Sequence, residues 1–99
     1  MAQFDIYATP FQEAPFVVQI QSDLLDTLAT RLVIPLRPPT KKSRLTRLHP
    51  TVMIYEKSYT LHTTETATVT AALLATPVQS AMAHRQEILD ALNFLLHGF

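Results

Sequence analysis

The side chains in this 99-residue chain that could do chemistry are few and widely spaced. Cysteine is absent, which removes thiol catalysis, disulfides and thiolate metal sites together. The four histidines, His49, His62, His84 and His97, form no i, i+4 pair and have no carboxylate at metal-ligand spacing, so no metal site is expected. The single glycine is Gly98, and one glycine cannot build a phosphate-cradling loop. No serine is marked by a nucleophile elbow, so a hydrolytic triad has no anchor in the sequence. The best enzymatic arrangement is His62 with Arg31, Glu65 or Asp26, which could support general acid–base cleavage of RNA. Against it stand ordinary readings: His62 as a strand residue bonded to backbone, and His84 as a polar residue in the first turn of a helix. No catalytic residue and no cofactor are assigned.

Charge sharpens the picture. The net charge is zero, yet six of the eight basic residues (Arg31, Arg37, Lys41, Lys42, Arg44, Arg47) lie within one stretch, and no acid occurs between Thr27 and Tyr55. Such a stretch attracts anions, whether nucleic acid or an acidic protein. A solvated basic loop is the plainer alternative.

The elements that must position these groups can be read along the chain. At this length one domain is expected, over residues 1–99. Its 47% apolar content argues against disorder. No apolar run approaches the ~20 residues of a membrane span, and no basic segment followed by an apolar one opens the chain, so a cytoplasmic protein without a membrane partner is expected. Phe4 and Ile6 alternate with Asp5 in a short strand over 3–7. A proline-bearing turn (9–15) leads to a second strand over 16–21. Ser22 to Thr27 has the flanks of a loop, with Leu24 and Leu25 at its centre. Those leucines either fold back to plug the core or form a solvent-facing contact patch.

Residues 31–36 form an apolar third strand, where Pro35 suggests an edge or a bulge. Residues 37–47 read as an exposed loop. The segments 48–55 and 59–63 form a hairpin turning at Glu56-Lys57-Ser58 without glycine, and 66–75 could add a strand. Thr76-Pro77-Val78-Gln79 has the form of a capping box, permitting helix from about Pro77, with the main helix from about Ala83.

That final helix is the organising element. At about 100° per residue, Ile88, Leu89, Leu92, Leu95 and Leu96 share one apolar arc, and Phe94 lies off it. Gly98 is placed to end the helix with φ > 0, and the closing His97-Gly98-Phe99 is expected to be a terminus that is itself used. Six or so short strands and one C-terminal helix describe an α+β domain with a small curved antiparallel sheet. Leu24, Leu25, Phe94 and Phe99 are apolar where a monomer would not want them, which marks an interaction surface. A binding protein is indicated before an enzyme.

Residues 21–27, Q-S-D-L-L-D-T, followed by Arg31-Leu32-Val33-Ile34-Pro35-Leu36, resemble the Q-S-D-(I/L)-(I/L)-D-T…R-(M/L)-V-I-P-L segment of the CcdB family of plasmid and chromosomal toxins. The likeness continues through Leu48-His49-Pro50, Thr63-Thr64-Glu65 and His84-Arg85 to the closing N-F-L-L-H-G-F, where the family has N-x-x-x-W-G-(I/F). The resemblance implies a homodimeric SH3-like barrel (CcdB/MazF-like) with a long C-terminal helix. It also implies a toxin that catalyses no reaction. Such a toxin binds the A subunit of DNA gyrase, traps its complex with cleaved DNA, and is neutralised by a CcdA-like antitoxin. DNA is then met only indirectly, through the toxin–antitoxin complex, with transcription autoregulation and plasmid maintenance as the biological setting.

The gyrase contacts carry over onto Leu24, Leu25, Asn93, Leu96, His97, Gly98 and Phe99. Arg37, Lys41, Lys42 and Arg44 are the expected antitoxin contacts. One departure stands out: His97 replaces the family's tryptophan, whose indole stacks on an arginine of gyrase. Imidazole is a smaller face, and when protonated it repels arginine. Losing such an anchor costs ~2 kcal/mol or more. Two alternatives follow: a MazF/Kid-type ribonuclease toxin, or a non-toxic homologue that only binds antitoxin.

Overall fold

The computed structural model describes residues 2–39 and 48–98. Its strands are β1 (Asp5–Ala8), β2 (Phe16–Gln19), β3 (Thr30–Arg37), β4 (Thr51–Ile54), β5 (Lys57–Leu61), β6 (Ala67–Thr70) and β7 (Pro77–Ser80), and α1 (Arg85–His97) follows. All pairings are antiparallel, in the order β4-β5-β3-β2-β1-β7, with β6 also on β3. The sheet curls until its two ends meet. There the Gln79 Nε2 of β7 donates to the Met53 carbonyl of β4 at 2.8 Å, so a side chain joins edges that no ladder connects. The result is a curled half-barrel of α+β class with one C-terminal helix.

Alternation along the strands sends apolar residues to both faces. Ile6, Val18, Ile34 and Leu36 point inward to join Phe4, Val52, Ile54, Leu61, Ala81 and the helix residue Ile88 in the main core. Their neighbours Tyr7, Val17 and Val33 point outward and are covered by Leu74 and Val69. This accounts for the unbroken Val17-Val18 and Val33-Ile34 pairs, since a strand buried on both faces needs no polar side.

β3 is the spine. One edge pairs with β2 over Val33–Leu36, while the other pairs first with β6 (Thr30–Val33) and then with β5 (Leu36–Arg37). Pro35 therefore lies in a central strand, not at an edge. Because the Ile20 amide donates to the Leu32 carbonyl, even-numbered β3 residues bond toward β2. The missing Pro35 N–H thus falls on the opposite side, at the seam where β6 gives way to β5, and only its carbonyl is used there, by the His62 amide at 3.0 Å.

Two other expectations are corrected. Residues 77–80 form strand β7 on β1 rather than the start of a helix. The spelling of a capping box is present in the sequence, but the segment is an edge strand, where Pro77 is tolerated, and the register with β1 shifts between Ile6 and Tyr7. A 3-10 turn at Met82–His84 then leads into α1, which begins at Arg85. The stretch 66–75 is strand only through Thr70 and continues as a 3-10 turn over Ala71–Leu73. In the β4–β5 hairpin the chain turns on Tyr55 and Glu56, both at positive φ (51° and 66°), the conformation of a type I′ turn made without glycine.

The helix packs by its first two turns. Ile88 and Ala91 are fully buried, and Leu89 and Leu92 lie against the core. Leu95 shares their angular stripe yet is 41% exposed, and Leu96 is 70% exposed. The apolar arc read from the sequence thus overruns the sheet, and its last turn projects past the core. Phe94 is half-buried rather than stranded on the polar face.

Candidate interaction surface

The loop between β2 and β3 is built to hold its shape. Ser22 caps a 3-10 turn (Asp23–Leu25) by accepting the Leu24 amide on Oγ at 3.2 Å. The Asp23 carboxylate accepts the Gln3 amide at 2.7 Å, tying the loop to the start of the chain. Gln21 works in both directions: its Nε2 donates to the carbonyls of Leu25 (3.3 Å) and Thr30 (3.1 Å), and its Oε1 accepts the Leu32 amide (3.0 Å). Arg31 completes the frame. Only 4% exposed, it donates through its two Nη atoms to the carbonyls of Leu28 (2.5 Å), Thr30 (2.9 Å) and Asp26 (2.9 Å). Polar side chains thus take over the carbonyls that a loop leaves unpaired.

What this frame presents is apolar. Leu24 is 92% exposed and Leu25 46%, with Leu28 exposed beside them. Of the two readings of these leucines, the solvent-facing one describes the structure and the core plug does not.

The second predicted set lies on the overrunning end of α1. Gly98 adopts the left-handed conformation (φ 78°, ψ 11°), and its amide closes the helix on the Phe94 carbonyl at 2.8 Å, as a C-terminal glycine cap does. Asn93, Leu96, His97 and Gly98 are all exposed. Phe99 lies outside the described residues. Leu24, Leu25 and Leu96 join neither core, so the loop and the helix end both present apolar side chains to solvent.

The basic set fares differently. Lys41, Lys42 and Arg44 lie outside the described residues. Arg37 is already engaged: its guanidinium pairs with Glu65 Oε2 through Nη2 (2.5 Å) and Nε (3.2 Å) and donates to the Glu13 carbonyl (2.9 Å). Glu65 also holds the Nδ1 of His62 at 3.0 Å, and the His62 ring stacks on His49 with centroids 4.9 Å apart. The Arg37 guanidinium hydrogen-bonded to Glu65 holds that carboxyl below its ordinary value. Of the acid–base groups proposed from sequence, His62 and Glu65 meet. Arg31 and Asp26 do not join them, because Arg31 is spent on the loop carbonyls. His84 is the N-cap residue of α1 and pairs with Glu87 at 3.2 Å, as its polar reading expects. Among the described residues no group of three His, Asp or Glu is arranged to hold a metal ion.

The sequence signals missed the carbonyl-clamping roles of Gln21 and Arg31. Arg31 reads as one more cation in a basic stretch, and only its burial in the fold shows otherwise.

A curled half-barrel with one C-terminal helix is also the fold of an endoribonuclease solved in complex with its cognate antitoxin from a mycobacterial species. That structure matches with a TM-score of 0.77 over 97% of this chain and 94% of its own, at 11% sequence identity, a likeness of fold alone. The family profile described as CcdB protein matches residues 3–98. The chain belongs to the CcdB family of toxin–antitoxin toxins.

Proposed function

We propose that the protein is the toxin of a type II toxin–antitoxin system, that it binds the A subunit of DNA gyrase and traps the gyrase–cleaved DNA complex, and that a CcdA-like antitoxin neutralises it. It works as a cytoplasmic homodimer and by binding, without catalysing a reaction. The observation that carries this reading is the exposed Leu24-Leu25 pair, held in solvent by four polar side chains when an unconstrained loop would fold it away. The overrunning helix end, with Leu96 in solvent and Gly98 capping the last turn, offers a second contact of the same kind.

Pull-down with the gyrase A subunit tests it. Wild type is expected to be retained and Leu24→Glu to be lost, while His97→Trp should tighten binding by restoring an aromatic platform. Failure of wild type to bind, with binding regained by His97→Trp, would leave an antitoxin-binding homologue without toxicity. Failure of both would remove gyrase as the target.

A further inference from the structure

The leucine loop carries a third exposed apolar side chain, Leu28, one turn beyond Leu25. After the 3-10 turn Asp23–Leu25 the winding continues. The amides of Leu25, Asp26 and Leu28 donate to the carbonyls of Ser22 (3.1 Å), Asp23 (3.3 Å) and Leu25 (3.1 Å), each three residues back. Asp26 keeps the same hand, at φ −61° and ψ −22°. In a chain wound at three residues per turn, side chains at i and i+3 stand one above the other. The loop therefore has rows: Leu25 with Leu28, Asp23 with Asp26, and Leu24 with Thr27.

The row that begins at Asp23 turns back to the protein, where Asp23 Oδ1 accepts the Gln3 amide. The leucines face solvent, and Leu25 and Leu28 are uncovered to nearly the same degree, 46% and 48%. Their backbone is fixed on both sides. Leu25 donates to Ser22, and its carbonyl accepts both the Leu28 amide and the Gln21 Nε2. Leu28 donates to Leu25, and its carbonyl is held by the buried Arg31 guanidinium. Side chains presented from a backbone already ordered give up little further freedom on contact, so their burial goes into affinity. A loop that only joined β2 to β3 would gain nothing from leucines held out in this way.

We propose that Leu28 is a target-contact residue, forming with Leu25 one apolar ridge beside Leu24, and that this ridge seats in an elongated apolar cleft of the protein that the toxin binds. The proposal rests on the gyrase-binding reading and extends its contact surface by continuity with Leu24 and Leu25. At a rise of ~2.0 Å per residue the two ridge side chains stand roughly 6 Å apart, so the cleft must take both along its length, with Leu24 to one side. Leu28 then sets which targets fit, because a pocket shaped for a single leucine leaves it in solvent.

Affinity of the intact chain for the gyrase A subunit is measured by titration calorimetry beside Leu24→Ala, Leu28→Ala, Leu28→Met and Met82→Ala. Leu28→Ala is expected to weaken binding about five- to tenfold, the loss that marks a residue carrying binding energy. Leu28→Met keeps apolar length and should stay within about twofold of wild type. Met82, as exposed as Leu28 but outside the loop, should be replaceable by Ala without effect. Unchanged hydrogen exchange at the Leu25 and Asp26 amides of Leu28→Ala shows that the loop keeps its winding and that the loss reports contact. Should Leu28→Ala loosen the loop, Leu28→Gln, of similar size, serves, with at least the same loss expected. Wild-type affinity in Leu28→Ala beside a weakened Leu24→Ala overturns the ridge and leaves gyrase as the target. No binding by wild type removes both. A dimer fraction that falls in Leu28→Ala by sedimentation velocity, with affinity per dimer unchanged, assigns Leu28 to a second copy of the chain and also overturns the proposal.

Discussion

Arg31→Met keeps side-chain length and removes the guanidinium that gathers three loop carbonyls. Thr30 retains a partner in Gln21, so two carbonyls, those of Asp26 and Leu28, lose their bonds to Arg31. Bonds from a charged donor run to roughly 1.5–3 kcal/mol, but both carbonyls lie on an exposed loop and return to water, which brings the net loss nearer ~1 kcal/mol each. Relief of a buried guanidinium offsets a little of this. The expected cost is about 1.5–2 kcal/mol, well inside the ~5–15 kcal/mol that holds a domain folded, and it is concentrated in the loop. Native-state hydrogen exchange is the assay. The amides of Leu25, Asp26 and Leu28, bonded to Ser22, Asp23 and Leu25 respectively, should lose protection by roughly 10- to 30-fold. Core amides such as Val18 should change far less, and affinity for the gyrase A subunit should fall with the loop amides. If loop and core amides lose protection together, Arg31 supports the fold as a whole and the idea of a pre-set leucine platform is wrong.

Three further outcomes are expected. Glu56→Gly removes a side chain from a left-handed position, which costs an L-residue roughly 1–2 kcal/mol, against ~0.5–1 kcal/mol of glycine entropy; calorimetry should show a higher Tm by a few degrees. Stability should fall in two stages as pH drops. His49 sits below its ordinary 6.5 in the folded chain, so the unfolded chain takes up the proton first and stability declines from about pH 6.5 downward; Glu65 sits below 4.5, so its contribution is complete above 4.5 and is lost on further acidification. Denaturant titrations across pH should show both stages, and His49→Gln should flatten only the upper one. Total cellular RNA should stay intact on incubation with the protein, because Arg31 is committed to the loop and Glu65 to Arg37; cleavage abolished by His62→Ala would instead establish a ribonuclease.

Much of the fold was legible because local signals and tertiary demands agree. Ile6 enters the core from β1 as the alternation predicts, although Phe4 reaches it from a turn at φ 70° before the strand begins; the 9–15 prolines turn the chain, and Gly98 ends the helix in the conformation that glycine alone adopts without strain. The failures share a different cause. Thr76-Pro77-Val78-Gln79 carries a helix-start pattern, yet β1 needed an edge partner, and pairing overrode the local signal. Pro35 looked like an edge marker because the sequence does not tell that β3 changes partners beside it. The helix stripe was right in angle but silent on length. Ile88 and Ala91 are fully covered while Leu95, on the same stripe, is only partly so, and it is the end of the sheet that sets this limit. For the site, the exposed leucines were visible as misplaced apolar residues. Their polar frame was not, because hydrogen bonds from Gln21 and Arg31 to carbonyls leave no periodic trace.

The most direct measurement is a gyrase DNA-cleavage assay with the intact chain beside one ending at Leu96. The intact protein is predicted to stabilise cleaved DNA, and loss of His97, Gly98 and Phe99 to abolish that while the folded core survives. Equal accumulation of cleaved DNA with both chains, or none with the intact chain, would contradict the account.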